Sequence, residues 1–189
     1  WKDCNICLYD REGKVADYAS SKIKGRGNAT WTSYPKKPYA IKLENKESIL
    51  GMPKHKRWCL LALWRGAIGN ALAFESSRRT SSLEYTPKGE FVEVVINGCY
   101  NGFYYLCEQI KIDKNRINIA EIKNSDIEYP NISGGYLLEF DELYDEDYKF
   151  TTSYFNLPVN LKSPDDNVPD SQIDYISSYI KNLEEELLK

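Results

Sequence analysis

The sequence has little of what most enzymes use to move protons. It contains one histidine, His55, in 189 residues. A Ser-His-Asp or Cys-His mechanism would have to run through it, and no Gly-x-Ser-x-Gly elbow offers a nucleophile. Placed between Lys54 and Lys56, His55 reads as a solvated loop residue. Neither a Gly-x-x-x-x-Gly-Lys-Ser/Thr loop nor a Gly-x-Gly-x-x-Gly turn occurs, which removes P-loop and Rossmann sites. The five cysteines (Cys4, Cys7, Cys59, Cys99 and Cys107) are an odd set. Cys4-Asn-Ile-Cys7 lacks a second close pair or a nearby histidine to complete a zinc site, and strand alternation sends its two thiols to opposite faces. Most of the five read as small buried apolar residues; they make no disulfide framework, and a single bond among them stays open. No apolar run approaches the roughly 18–20 residues of a membrane span. The net charge of −3 and the lack of a long basic stripe leave no nucleic-acid partner.

What is present is an ordinary globular composition, 42% apolar and 28% charged, over a length that suits one domain or a large piece of one. Charge is unevenly spread. Up to Lys88 there are 17 Lys and Arg against 8 Asp and Glu; the remainder holds 8 against 20. A basic first part attracts anions, and an acidic second part is solvated or holds cations.

Strand patterns dominate. Residues 4–9, 21–24, 39–43 and the apolar run Trp58 to Trp64 read as strands, with Gly13 turning the chain after the first. Residues 70–80 read as a helix, with Leu72, Ala73 and Ser76 inside and Glu75, Arg78 and Arg79 outside. Residues 90–96 and 99–110 form a hairpin about Asn97-Gly98, a type I′ pair. Residues 135–141 read as a buried strand, and 141–147 as a solvated acidic loop. Asp170 or Ser171 caps a last helix with Ile173, Ile176, Ile180, Leu183 and Leu187 on one stripe. That helix reaches Lys189 without a C-cap, so the sequence reads as cut from something longer. The order predicts an α+β fold with a mainly antiparallel sheet and few helices, not a βαβ alternation.

Two segments carry candidate chemistry. Gly25-Arg26-Gly27-Asn28 lets the backbone turn tightly and approach an anion, with Arg26 as a planar fork. A local carboxylate would serve that arginine equally well. Tyr39-Ala-Ile-Lys42-Leu43 places a lysine inside an apolar strand, where the ammonium needs a phosphate or a carboxylate. Its form is similar to the Val-Ala-Ile-Lys strand of protein kinases.

These segments belong to a longer ordered series. It comprises Ile23-Lys-Gly-Arg-Gly-Asn-Ala-Thr-Trp31, Lys37-Pro-Tyr-Ala-Ile-Lys-Leu43, Gly51-Met-Pro53 with Trp58-Cys-Leu-Leu-Ala62, Asn70-Ala-Leu-Ala73, Tyr85-Thr-Pro87 and Phe91-Val-Glu-Val94. Asn97-Gly98, Gly102-Phe-Tyr-Tyr-Leu106 with Glu108, and Gly134-Gly-Tyr-Leu-Leu-Glu-Phe-Asp141 complete it. The series resembles the opening of the CotH family, spore-coat protein H-like atypical protein kinases, over about residues 20 to 165. The resemblance implies an extracellular, cell-surface or spore-coat kinase that uses ATP and Mg to phosphorylate Ser/Thr of a coat or surface protein. Residues 1–125 would correspond to its nucleotide-binding, N-lobe-like region and 126–189 to the start of the region after it.

Carried over, Arg26, Asn28 and Lys42 fall on nucleotide phosphate contacts. Glu108 is a candidate counter-ion for Lys42, and Glu75, on the predicted helix, is its rival. Two departures stand out. Relatives tend to carry Arg-Asn where this chain has Gly69-Asn70. The downstream Asn-x-Asp loop and Trp-Asp-x-Asp segment, which supply catalytic and metal-binding aspartates, are absent from the sequence, and Asp174 and Glu184–Glu186 sit on an amphipathic helix. No catalytic or metal-binding residue is therefore expected within these residues, and the chain as it stands is expected to be inactive. The alternative is a non-catalytic binding module for protein or carbohydrate, or a structural coat component, since 4 Trp, 15 Tyr and 6 Phe can furnish an aromatic surface.

Overall fold

A computed structural model describes residues 1–63, 68–80 and 83–189. The chain forms two compact units, Trp1–Lys111 with Asn115–Ile117, and Ile112–Lys114 with Asn118–Lys189. Residues 118–125 thus go with the second unit.

The first unit is one antiparallel sheet in the order β1-β2-β3-β4-β6-β5. Its strands are β1 (Lys2–Asp10), β2 (Gly13–Gly25), β3 (Tyr39–Glu47), β4 (His55–Ala62), β5 (Gly89–Ile96) and β6 (Cys99–Glu108). A single helical turn, α1 (Ala29–Thr32), follows β2, and α2 (Gly69–Thr80) follows β4. The β5–β6 turn is type I′, with Asn97 at φ 51° and Gly98 at φ 80°.

Alternation sorts the side chains onto two faces. Ile41, Leu43, Trp58, Leu60, Tyr104 and Leu106 share one face and, with Ile49 and Met52, make the main core. Burying each large side chain there contributes about 1.5–3 kcal/mol. Cys59, Tyr105 and Cys107 lie on the other face, where Leu61, Leu63 and the α2 residues Ala71 and Phe74 cover them. The middle of β4 is covered on both sides. That explains why it is apolar without alternation. Trp64, the last residue of that run, lies outside the described residues.

Two expectations change here. His55 opens β4 and is 6% exposed, not solvated. Its Nδ1 accepts from the Arg57 N–H at 3.0 Å, and its carbonyl accepts from Trp58 Nε1 at 3.0 Å. The buried tryptophan draws the histidine in despite its basic neighbours. In α2 the inner positions are Ala71, Phe74, Ser77 and Arg78, while Leu72, Ala73 and Ser76 are exposed. Phe74 stacks against Tyr105 with centroids 6.3 Å apart, and this larger ring sets the helix rotation.

The second unit holds a three-stranded antiparallel sheet, β7 (Leu137–Phe140), β9 (Pro158–Ser163) and β8 (Lys149–Thr151) in that order, and the long helix α3 (Asp170–Leu187). Residues 141–147 form an irregular loop. It is tied down by buried Asn160, whose Nδ2 donates to the Leu143 carbonyl at 2.7 Å, and by Lys162, which pairs with Glu146 and with Glu139 at 3.2 Å.

The buried stripe of α3 is Gln172, Ile176, Ile180 and Glu184, while Leu183 and Leu187 are exposed. Two polar residues take the inward places because backbone groups await them. Gln172 Nε2 donates to the carbonyls of Lys123 and Asp126, at 2.7 and 3.1 Å. The Glu184 carboxylate accepts from the N–H groups of Tyr154 and Phe155, at 2.9 and 3.2 Å. Burial opposes the Glu184 charge, but hydrogen bonds from Thr152 and these amides outweigh it and hold the carboxyl below its usual range. Neither Asp170 nor Ser171 caps the helix: Pro169 takes the N-cap place, without a side-chain bond. Among the described residues, no helix is long and apolar enough to cross a membrane.

Candidate functional site

The glycine-punctuated loop begins where β2 leaves the sheet. Gly25 still pairs with Tyr39, and the Arg26 N–H donates to the Pro38 carbonyl at 3.2 Å. A Cβ on Gly25 would lie 2.5 Å from the Trp31 ring, so only glycine admits the indole there. Trp31 in turn meets Tyr39 edge-on, with centroids 6.0 Å apart. Gly27 has φ +81°, in the left-handed region, and leads into α1. The Asn28 carbonyl accepts from the N–H groups of Trp31 and Thr32, at 3.0 and 2.9 Å. Its side chain makes no capping bond and is exposed.

Behind the loop, cations stand in register. Lys22 is directly opposite Lys42, and Lys42 is directly opposite Arg57. Like charges placed opposite each other destabilise a sheet, a cost that Asp3 and the Glu44 charge offset in part at Lys22. Alternation adds Lys24, which pairs with Ala40, to the same face. Asp3 holds Lys22 at 2.7 Å, and the Trp1 ring lies 5.0 Å from Lys24 Nζ and 4.9 Å from the Arg57 guanidinium. Arg26 continues the alternation of Lys22 and Lys24 one step past the end of β2, with its N–H still bonded to the Pro38 carbonyl. Lys42 and Arg57 are half-buried. The face suits a polyanion.

Neither carboxylate proposed for Lys42 reaches it. Arg57 pairs with Lys42 while the next residue, Trp58, pairs with Glu108, so Lys42 and Glu108 point to opposite faces. Glu108 is buried and accepts from Arg116 Nη1 at 2.7 Å, from the Lys88 N–H at 2.9 Å and from the Tyr85 hydroxyl at 3.2 Å. Arg116 is equally buried, lies 4.9 Å over the Trp58 ring, and also donates to the carbonyls of Asn115 and Pro53, at 2.9 and 3.3 Å. Burial, then the Glu108 charge, pushes the Tyr85 phenol far up, so it stays a donor. Glu75 lies on α2 and binds Arg78 at 2.8 Å and Arg79 at 2.7 Å, which lower its pKa. Glu75 and Glu108 therefore hold the unit together by other means. Arg116, the real partner of Glu108, gives no signal in the sequence because it sits eight residues on in a segment without strand or helix periodicity.

Of the expected set, the structure brings Arg26 and Lys42 to one face and leaves Asn28 exposed at the loop's tip. Gly69 opens α2 and is exposed. Among the described residues, no three His, Cys, Asp or Glu side chains gather closely enough to hold a metal ion. The residues thus fit a polyphosphate but supply no set of donors for Mg.

The described residues form an antiparallel α+β unit with a row of cations across three strands of its sheet. The family is fixed by comparison: residues 23–188 match the CotH kinase protein family. The chain belongs to that family, a kinase-like and coat-associated one. No curated protein and no solved structure matches it.

Proposed function

We propose that this chain binds the phosphates of ATP and is the nucleotide-binding portion of a CotH-type kinase that phosphorylates Ser/Thr of a coat or surface protein outside the cell. The observation that carries this reading is the row of like charges Lys22–Lys42–Arg57, with Arg26 on the same face. Arg26 would grip phosphate oxygens as a fork and Lys42 as a point charge, while the exposed Asn28 amide would donate at the loop's tip. Mg, when bound with ATP, neutralises charge on the phosphates. Its protein ligands, and the aspartate that would position a Ser/Thr hydroxyl, belong outside residues 1–189 in this reading, so the chain alone binds nucleotide without transferring phosphate.

Titration with ATP, followed by calorimetry, tests it. Binding should weaken at least tenfold in Lys42→Ala and in Arg26→Ala, with unchanged thermal unfolding. Wild-type affinity in both variants would overturn the reading. One observation favours a binding module instead: Phe91 and Phe103 stack at 5.3 Å on the β5–β6 hairpin while 43% and 46% exposed. That alternative predicts capture of a protein or sugar that Phe91→Ala abolishes and Lys42→Ala leaves intact.

A further inference from the structure

We propose that Cys59 and Cys107 are a modification site, a dithiol that closes to a cross-strand disulfide joining β4 to β6. The two residues are direct partners in a ladder with no register shift, so their side chains project from the same face. They pack in one cluster with Tyr105. The Glu108 N–H donates to the carbonyl of Lys88, the residue before β5, at 2.9 Å, so the polar groups of the preceding residue, Cys107, point to β4. Cys59 and Cys107 are then a hydrogen-bonded pair, with Cα atoms about 5.5 Å apart. That falls inside the Cα window of about 4.4–6.8 Å for a disulfide. The Cβ atoms of a hydrogen-bonded pair, up to about 5.5 Å apart, must approach to about 3.5–4.5 Å, so closure draws β4 and β6 together locally. The other three cysteines offer no such pairing: Cys7 and Cys99 are exposed, and Cys4 pairs with Ser21.

Either sulfur can supply the attacking thiolate, Cys59 in the steps that follow. With a small disulfide such as oxidised glutathione, the Cys59 sulfur attacks and breaks the reagent's S–S bond, expelling one glutathione thiolate. Cys107 then attacks the Cys59 sulfur of the mixed disulfide and expels the second. The cysteines are oxidised, glutathione disulfide is reduced, and the two thiol protons end on the two glutathiones. At 5% and 3% exposure, both sulfurs lie beneath Phe74 and Ala71, so reaction waits on local opening of α2 and is slow. This inference does not depend on nucleotide binding.

The wild-type chain carries the test. It is equilibrated in glutathione buffers of increasing oxidising ratio, quenched in acid, alkylated under denaturing conditions and digested with trypsin. The expected result is peptide 58–65 joined to peptide 89–111, lighter by two hydrogen atoms, with fragmentation placing the bond on Cys107 rather than Cys99. Dithiothreitol should restore two alkylated thiols. The oxidised chain should melt several degrees above the reduced one, a shift missing in Cys107→Ser. Full alkylation of Cys59 and Cys107 at every ratio, or a bond from Cys59 to Cys4, Cys7 or Cys99, overturns the proposal.

Discussion

On one face of the six-stranded sheet, Arg116 and Glu108 meet at 2.7 Å, both out of water. On the other, Lys22, Lys42 and Arg57 stand side by side across three strands, half open to it. The first arrangement is closed: the carboxylate accepts from a guanidinium, a backbone amide and a phenol. The second is only partly answered: Asp3 pairs with Lys22 and the Trp1 ring lies over Arg57, while like charges remain adjacent. A buried carboxylate whose oxygens are both met is part of a scaffold, even with Arg116 Nε and Nη2 meeting no acceptor among the described residues, whereas repelling charges held at a surface are available to a ligand.

The widest gap between the faces should appear on deleting one cation from each. Arg116→Ala strands the buried Glu108 carboxylate and should cost about 3–5 kcal/mol in urea unfolding. Arg116→Met combined with Glu108→Leu should recover much of that loss, because removing both charges removes the unpaired one. Lys42→Met should leave stability within about 0.5 kcal/mol of wild type, or slightly above it as the like-charge row relaxes. Equal losses at Arg116 and Lys42 would erase the distinction.

The second unit supplies a third way to place a charge, and pH distinguishes it. Glu184 is buried against backbone amides without a cation, and its pKa lies below its ordinary 4.5. A lowered folded-state value means that its stabilisation is complete above the ordinary pKa and is lost as pH falls through the lowered one. Acid titration of unfolding should show this limb in wild type, and Glu184→Gln should flatten it. Glu75→Gln sits at the bottom of the scale. Its pairs with Arg78 and Arg79 are on a helix surface, so the change should lie within the scatter of the unfolding measurement and fade further in salt.

Strands were readable from the sequence where apolar residues cluster, as in Tyr39–Leu43, but not in the first part of β2, in β8 or in β9, and the β5–β6 hairpin followed from Asn97-Gly98 between two apolar strands. Arg26 and Lys42 could be picked out because glycine spacing and a lysine in an apolar strand are local signals. What escaped depends on distant partners. His55 is buried by what Trp58 does with its indole. Glu108 has its cation from Arg116, and Glu184 turns inward for amides of residues 154 and 155, some thirty positions earlier. The α2 face was misjudged by counting apolar residues equally, when one phenylalanine outweighed a leucine and an alanine. The Cys59–Cys107 juxtaposition follows from register, which neither strand encodes by itself.

The contact of Trp31 with Gly25 alters what glycine means in this loop. Glycine between strands is usually valued for freedom of rotation, yet Gly25 is still in β2 and paired to Tyr39. Its contribution is vacancy: it is a socket into which an aromatic plug fits. Anything as large as a methyl group there would unseat the plug and release the short turn that carries Asn28. Gly27 is needed for a second reason, since at φ +81° a Cβ there would lie 2.1 Å from the Thr30 hydroxyl, so Arg26 stands between two glycines that neighbouring side chains require.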